Sequence, residues 1–241
     1  MIASMAPPTP PLGDSEASLQ YGNEVIGYEG TGTFTQTGGT HTIKYGSLTL
    51  GYNVGGVGTY NLSSPTSKLI ASSIIVGKAG TGTFIQDGGT VQADSLTLGG
   101  EVTATLDGVI ITKGNGTYTL KNDGKLTVLA NEYIGHKGTG DFTQAGGIHE
   151  IKGMLNLGSD EPGLSYGKYK LNAGVLDIRS GGNFINVRSG EFTQTIGSTL
   201  ALHIEGKDST PFVNSAGVSI ATLAGTVNVD SQSKVVHRNL Q

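Results

Sequence analysis

The stretch GTGTFTQTGG at residues 30–39 decides how the chain is read. It returns as GTGTFIQDGG at 80–89, as GTGDFTQAGG at 138–147 and, degraded, as SGEFTQTIGS at 189–198. A cousin motif alternates with it: GTYNLSS at 58–64, GTYTLKN at 116–122 and GKYKLNA at 167–173. Within both, apolar residues recur with period two, the signature of a strand with one buried face. Working outward from these copies, eight units can be cut: 24–46, 47–72, 73–94, 95–130, 131–153, 154–180, 181–206 and 207–230. Most are 22 to 27 residues long, which suits one coil of a solenoid made of three short strands and their corners. A helical solenoid would need a 3.6-residue period, and none is present. Six units open on a short apolar strand that ends in glycine, from VIG at 25–27 to LNLG at 155–158.

Superposed, the units form columns. The aromatic column is Phe34, Tyr60, Phe84, Tyr118, Phe142, Tyr169 and Phe192. Two residues on, and therefore on the same strand face, stand Gln36, Leu62, Gln86, Leu120, Gln144, Leu171 and Gln194. Parallel coils stack about 4.8 Å apart, so each column becomes a ladder. The aromatic ladder must face inward, since nothing else is large enough to fill the core. A buried glutamine then needs its amide satisfied, with backbone at the adjacent glycine turn as the nearest partner. Phe/Tyr alternation implies a repeat of two units. Phe34 to Phe84 and Phe142 to Phe192 are each 50 residues, whereas Phe84 to Phe142 is 58. The surplus lies in GGEVTATLDGVIITK at 99–113, where VTATL and VIIT flank Asp107-Gly108, a strong hairpin signal. The same corner is long in the other Tyr-type units, at 52–57 and 159–166. Excursions from one corner define one face, and Tyr52, Asn53, Asp107, Gly108, Asp160, Glu161 and Tyr166 mark it as the candidate interaction corner.

Composition narrows the class. The 241 residues include 40 glycines, no cysteine and no tryptophan, with 14% charged residues and a net charge of −4. Glycine lacks a G-X-Y period, so collagen is excluded, and the period-two pattern at low net charge argues against disorder. No basic run or basic–aromatic patch points to nucleic acid. No stretch approaches the ~20 apolar residues of a membrane helix. The start, MIASMAPPTPPLGD, has neither the charged nor the apolar region of a secretory signal. Residues 1–15 read as a Pro-rich lead, 16–230 as one solenoid domain, and 231–241 as a tail or cap.

A search for chemistry leaves little. Asp141, Lys168 and Glu191 precede the aromatic in consecutive units, so the lysine should stack between two acids as a surface ion ladder worth about 0–1 kcal/mol per pair. Asp160-Glu161 are sequence neighbours on a loop, which does not make a general acid/base pair. His41 and His149 share a column four coils apart, roughly 19 Å at ~4.8 Å per coil, so they cannot hold one metal ion. Each is expected to be a half-buried corner residue with a hydrogen-bond partner. No H-E-x-x-H, Walker loop, G-x-S-x-G or calcium nonapeptide occurs. Hence no catalytic residue, cofactor site or metal site is assigned, and the chain is not expected to be an enzyme. The outward column Thr35, Asn61, Ile85, Thr119, Thr143, Lys170, Thr193 is too interrupted for an ice-binding threonine ladder.

The GTGTFTQTGG repeats, LTLGYNVGGVGTYNLSS and the closing SGEFTQTIGSTLALHIEG…ATLAGTVNV resemble passenger regions of bacterial autotransporters and related surface or secreted β-helix proteins. The resemblance covers about residues 24–229. It implies a right-handed parallel β-helix of about eight coils, outside the cell or on the surface of a bacterium, and it transfers no catalytic residue. No signal peptide is visible and no membrane barrel follows Val229, so the chain reads as a fragment, a processed passenger or a free-standing relative. The expected role is a structural surface-fibre or adhesin-like module. Its expected partner is itself, head to tail or laterally, or a surface glycan. A carbohydrate-binding or polysaccharide-active helix using the loop-bearing corner is the alternative.

Overall fold

The computed structural model describes residues 17–19, 22–100, 102–103, 112–159, 165–178, 185–202, 212–214, 219–222 and 226–229, with side chains in 22–100, 113–159, 165–178 and 185–201. Among these residues every regular element is a strand. Nineteen strands form one continuous parallel sheet wound into a β-solenoid, and two short ones pair separately. The solenoid amounts to about six full turns rather than the expected eight. Among the described residues, units 7 and 8 add strands of three to five residues, such as Ile185–Val187, Gly190–Gln194 and Thr226–Val229. Ahead of unit 1, Ala17–Leu19 pairs in parallel with residues 41–43.

Register follows the columns residue for residue. Phe34 pairs with Tyr60, Tyr60 with Phe84, Phe84 with Tyr118, Tyr118 with Phe142, Phe142 with Tyr169 and Tyr169 with Phe192. The rings lie 4.7–5.5 Å apart, stacked from Tyr60 onward and tilted by 32° at the Phe34–Tyr60 end. Offset aromatic pairs at such spacing add to the burial of their area. Leu, Ile and Val of the first and third strands fill the rest of the core, with Leu48, Leu50, Leu69, Ile74, Leu96 and Leu155 fully buried.

Two glycine columns make this winding feasible. The glycine ending each first strand turns the corner at positive φ, as at Gly27 (73°) and Gly77 (73°), where a Cβ would also meet the backbone of the second strand. The glycine two residues before each aromatic faces inward for a different reason. A Cβ on Gly116 would stand 2.1 Å from the Val76 carbonyl oxygen and 2.6 Å from the Gly99 nitrogen. The second glycine of GTGTF is therefore required by backbone packing, as at Gly82, where a Cβ would meet the Gly77 nitrogen.

The excess at residues 99–113 is anchored by a hairpin base: Val102–Thr103 runs antiparallel to Thr112–Lys113. Asp107-Gly108, expected at its tip, lies outside the described residues.

Candidate functional site

The glutamine column explains the alternation. Gln36, Gln86 and Gln144 are fully buried, and each sends its Nε2 back to the glycine turn and onward to the next unit. Gln36 donates to the Gly39 and Lys68 carbonyls at 2.8 and 3.1 Å, Gln86 to Gly89 and Lys125 at 3.2 and 3.1 Å, and Gln144 to Gly147 and Val175 at 3.3 and 3.0 Å. With Nε2 so committed, Oε1 faces the neighbouring unit. There the tyrosine hydroxyl donates to it: Tyr60 to Gln36 at 2.8 Å, Tyr118 to Gln86 and Tyr169 to Gln144 both at 2.7 Å. One hydroxyl serves one amide, and each of these three Gln units has a Tyr unit after it; in the last Gln unit, that of Gln194, Ala221 stands in register with Phe192 instead. Phenylalanine suffices in the Gln unit itself.

Burial pushes the phenols of Tyr60, Tyr118 and Tyr169 well above the usual range, helped by the nearby Glu24 carboxylate for Tyr60 and by Glu132 for the other two. Because the folded value is raised, their stabilisation is complete below the unfolded value near 10 and is lost as pH climbs beyond it. Denaturation midpoints should therefore fall steeply above about pH 10, by up to ~1.4 kcal/mol per pH unit for each tyrosine. Tyr118→Phe should lessen that slope. At neutral pH the same variant should cost about 1–3 kcal/mol, since the buried Gln86 oxygen loses its donor.

The histidines go deeper than expected. His41 is 5% exposed and His149 0%, so neither is a half-buried corner residue. They share one column, with Leu69, Val91 and Leu126 between them in register. Their partners are carboxylates missed in the sequence: His41 Nε2 lies 2.9 Å from Glu24 Oε1, and His149 Nε2 lies 2.8 Å from Glu132 Oε2. The first contact is aligned as a hydrogen bond. The second has the distance without the alignment, leaving both Glu132 oxygens unbonded in a fully buried site. On the other ring edge, Nδ1 of His41 and of His149 lies 2.9 Å from the hydroxyls of Tyr60 and Tyr169. The recurring frame ExIG…GGxHxIK, at 24–44 and 132–152, was the available signal.

At the loop-bearing corner the structure brings together a smaller set than expected. Tyr52 stacks on Tyr28, ring centroids 5.1 Å apart, while the Lys78 ammonium sits 4.0 Å over Tyr52. Asn53 donates to Glu29 at 3.2 Å. Tyr28, half exposed, was not among the expected residues, although it follows the corner glycine just as Tyr52 does. A cavity of about 200 Å³ farther along this corner is lined by Ile75, Lys78, Thr97, Gly100, His136 and Lys137. Asp160 and Glu161 lie outside the described residues. Tyr166 stands apart from Tyr52 and donates to Glu191 at 3.4 Å.

The ion ladder is rearranged. Lys168 pairs with Glu191 at 2.6 Å, but Asp141 pairs with Lys170 at 3.4 Å, not with Lys168. Lys168 and Lys170 lie two apart on one outward face, so both acids find a cation without sharing one. The hydrogen bond between them holds Glu191 below and Lys168 above their ordinary values. Among the described residues no group of three or more His, Asp or Glu is placed to hold a metal ion. No helix among them is long and apolar enough to cross a membrane.

These ladders make the chain a parallel β-solenoid repeat protein. No protein-family model, curated protein or solved structure matches it.

Proposed function

We propose that the chain is a structural module of an extracellular or surface-anchored bacterial protein, a solenoid stalk or adhesin-like segment whose ends associate with further copies. The observation that supports this reading is where its polar chemistry goes. The inward amides and phenols of units 1–6 are spent on joining one turn to the next, through the Gln–Tyr bonds and the carbonyls they reach. The passenger-like repeats supply the surface location. Open edges supply the association: among the described residues, Glu24–Ile26 and Thr31–Gln36 pair on one side only, and an unpaired strand edge is a template for another chain. Light scattering over a wide concentration range, with electron micrographs of the same samples, tests it. Elongated species growing with concentration are expected, and a monomer throughout would overturn the association.

A second reading is favoured by the Tyr28–Tyr52 stack, which offers an aromatic ring face at the loop-bearing corner. On it, this corner binds a glycan of the host surface or matrix. A glycan array with the intact protein and with Tyr28→Ala decides. Binding that the variant abolishes supports the reading, and a blank array removes it.

A further inference from the structure

Two copies of one constellation, the second fully buried, stand four units apart. Glu24, Gln36 and His41 recur as Glu132, Gln144 and His149, each 108 positions later, and Tyr60 recurs as Tyr169. Each copy is a chain of contacts across the core: carboxylate to His Nε2, His Nδ1 to tyrosine hydroxyl, hydroxyl to glutamine Oε1. In unit 5 these residues come from Glu132–Ile134 and from the two halves of Thr139–Ile151, while Tyr169 comes from unit 6. One constellation therefore ties all three sides of a turn to the turn that follows.

The hydrogen-bond directions can be worked from one end. Gln144 Nε2 is fixed by the Gly147 and Val175 carbonyls, so Oε1 must accept and the Tyr169 hydroxyl must donate. The Tyr169 oxygen is then an acceptor toward His149, and Nδ1 must carry a proton. Across the ring, Nε2 meets a carboxylate that has no donor of its own when ionised. A second proton must therefore sit between ring and carboxylate: in the first copy His41 Nε2 and Glu24 Oε1 are aligned for it at 2.9 Å, and in the second the two atoms are 2.8 Å apart but off that line. The surroundings offer no substitute: Glu132 is in register with Leu96 and Leu155, and His149 with Leu126 and Leu176. The Phe142 ring stacks on His149 at 4.8 Å.

We infer that Glu132–His149–Tyr169–Gln144 and Glu24–His41–Tyr60–Gln36 are proton-bearing braces that act as units, each locking the first turn of a four-unit block to the second. Unit 3 shows the brace is dispensable as a whole. There Ile74 and Val91 take the glutamate and histidine places, and Gln86 still accepts from Tyr118. A half-brace has no such precedent, since it leaves a carboxylate or a ring nitrogen in the core without its partner, which is costlier than exchanging both for apolar residues.

The test compares Glu132→Leu, His149→Leu, their double variant and Glu132→Gln in the full chain. Each single leucine variant is expected to lose on the order of 10 °C in melting midpoint. The double variant should recover most of that loss. Glu132→Gln should retain more stability than Glu132→Leu, because its amide can donate to His149 Nε2. Nitrogen-15 NMR of His149 should find a proton on Nδ1 and another on the Nε2 side. Additive leucine effects, or a ring with bare Nδ1, would overturn the inference. Should the unit 5 variants fail to fold, the same set at Glu24 and His41 decides by the same outcomes; there the glutamate side chain is 26% exposed.

Discussion

Gly116→Ala is expected to destabilise the solenoid by about 3 kcal/mol or more, at or beyond the upper range for overpacking. The reason is the material it strikes. All three atoms nearest the added methyl are backbone: the Val76 oxygen at 2.1 Å, the Gly99 nitrogen at 2.6 Å and the Leu98 Cα at 2.9 Å. No rotamer change can relieve such a contact, and Gly99 N is already donating to Val76 O at 2.9 Å in the corner. To admit the methyl, the turn must open that bond. For a chain of this size, 3 kcal/mol corresponds to a fall of roughly 6–12 °C in melting midpoint. Gly30→Ala is the control, because a Cβ there meets nothing within 4 Å. A Gly116→Ala midpoint within a degree of that control would refute the packing argument.

Phe142→Ala should cost a comparable amount, about 3–5 kcal/mol, the range for emptying a buried aromatic site. Its ring is in contact on three sides: Tyr118 at 4.9 Å, Tyr169 at 4.7 Å and His149 at 4.8 Å. The neighbouring turns are held in register by backbone ladders, so they cannot close over the hole. Phe34→Ala should cost less, because Phe34 is only partly buried at the end of the column. Urea midpoints at unchanged slope measure both variants, and equal losses would show that stacking inside the column contributes little.

How much of this was legible in the residues depends on what each column had to do. Phe34 to Phe192 and Gln36 to Gln194 could be aligned because their spacing is regular and their side chains are large. The backbone partner for glutamine followed from the cost of burying an amide. The tyrosine hydroxyl was missed as the second partner, although it is what makes Phe and Tyr alternate. Glu24 and Glu132 were hidden by position. They open strands recognised by the apolar run behind them, and a lone glutamate before such a run is ordinarily a solvated end. His41 and His149 were placed in the right column at the wrong depth, since nothing local announces a buried carboxylate 17 residues upstream. The inward glycine two residues before each aromatic was not singled out, because its demand comes from the backbone it packs against and not from its own φ. At the corner, Tyr52 was visible as part of a long loop, whereas Tyr28 sits in a short one and was passed over. Asp141 and Lys168 were correctly placed side by side, but long side chains choose among neighbours within reach, and Lys170 was nearer in effect.

The tyrosine-to-glutamine bond has a direction, and that direction constrains how such a protein can grow. Each bond runs from a Tyr unit back to the Gln unit before it. Adding or deleting a single unit would set two glutamines on adjacent turns and strand an amide oxygen, or two tyrosines and strand a hydroxyl. Lineages of this architecture should therefore lengthen and shorten by even numbers of turns, with viable breakpoints ahead of a Gln unit. The 108-residue displacement between the two braces, four turns long, is a step of the permitted size.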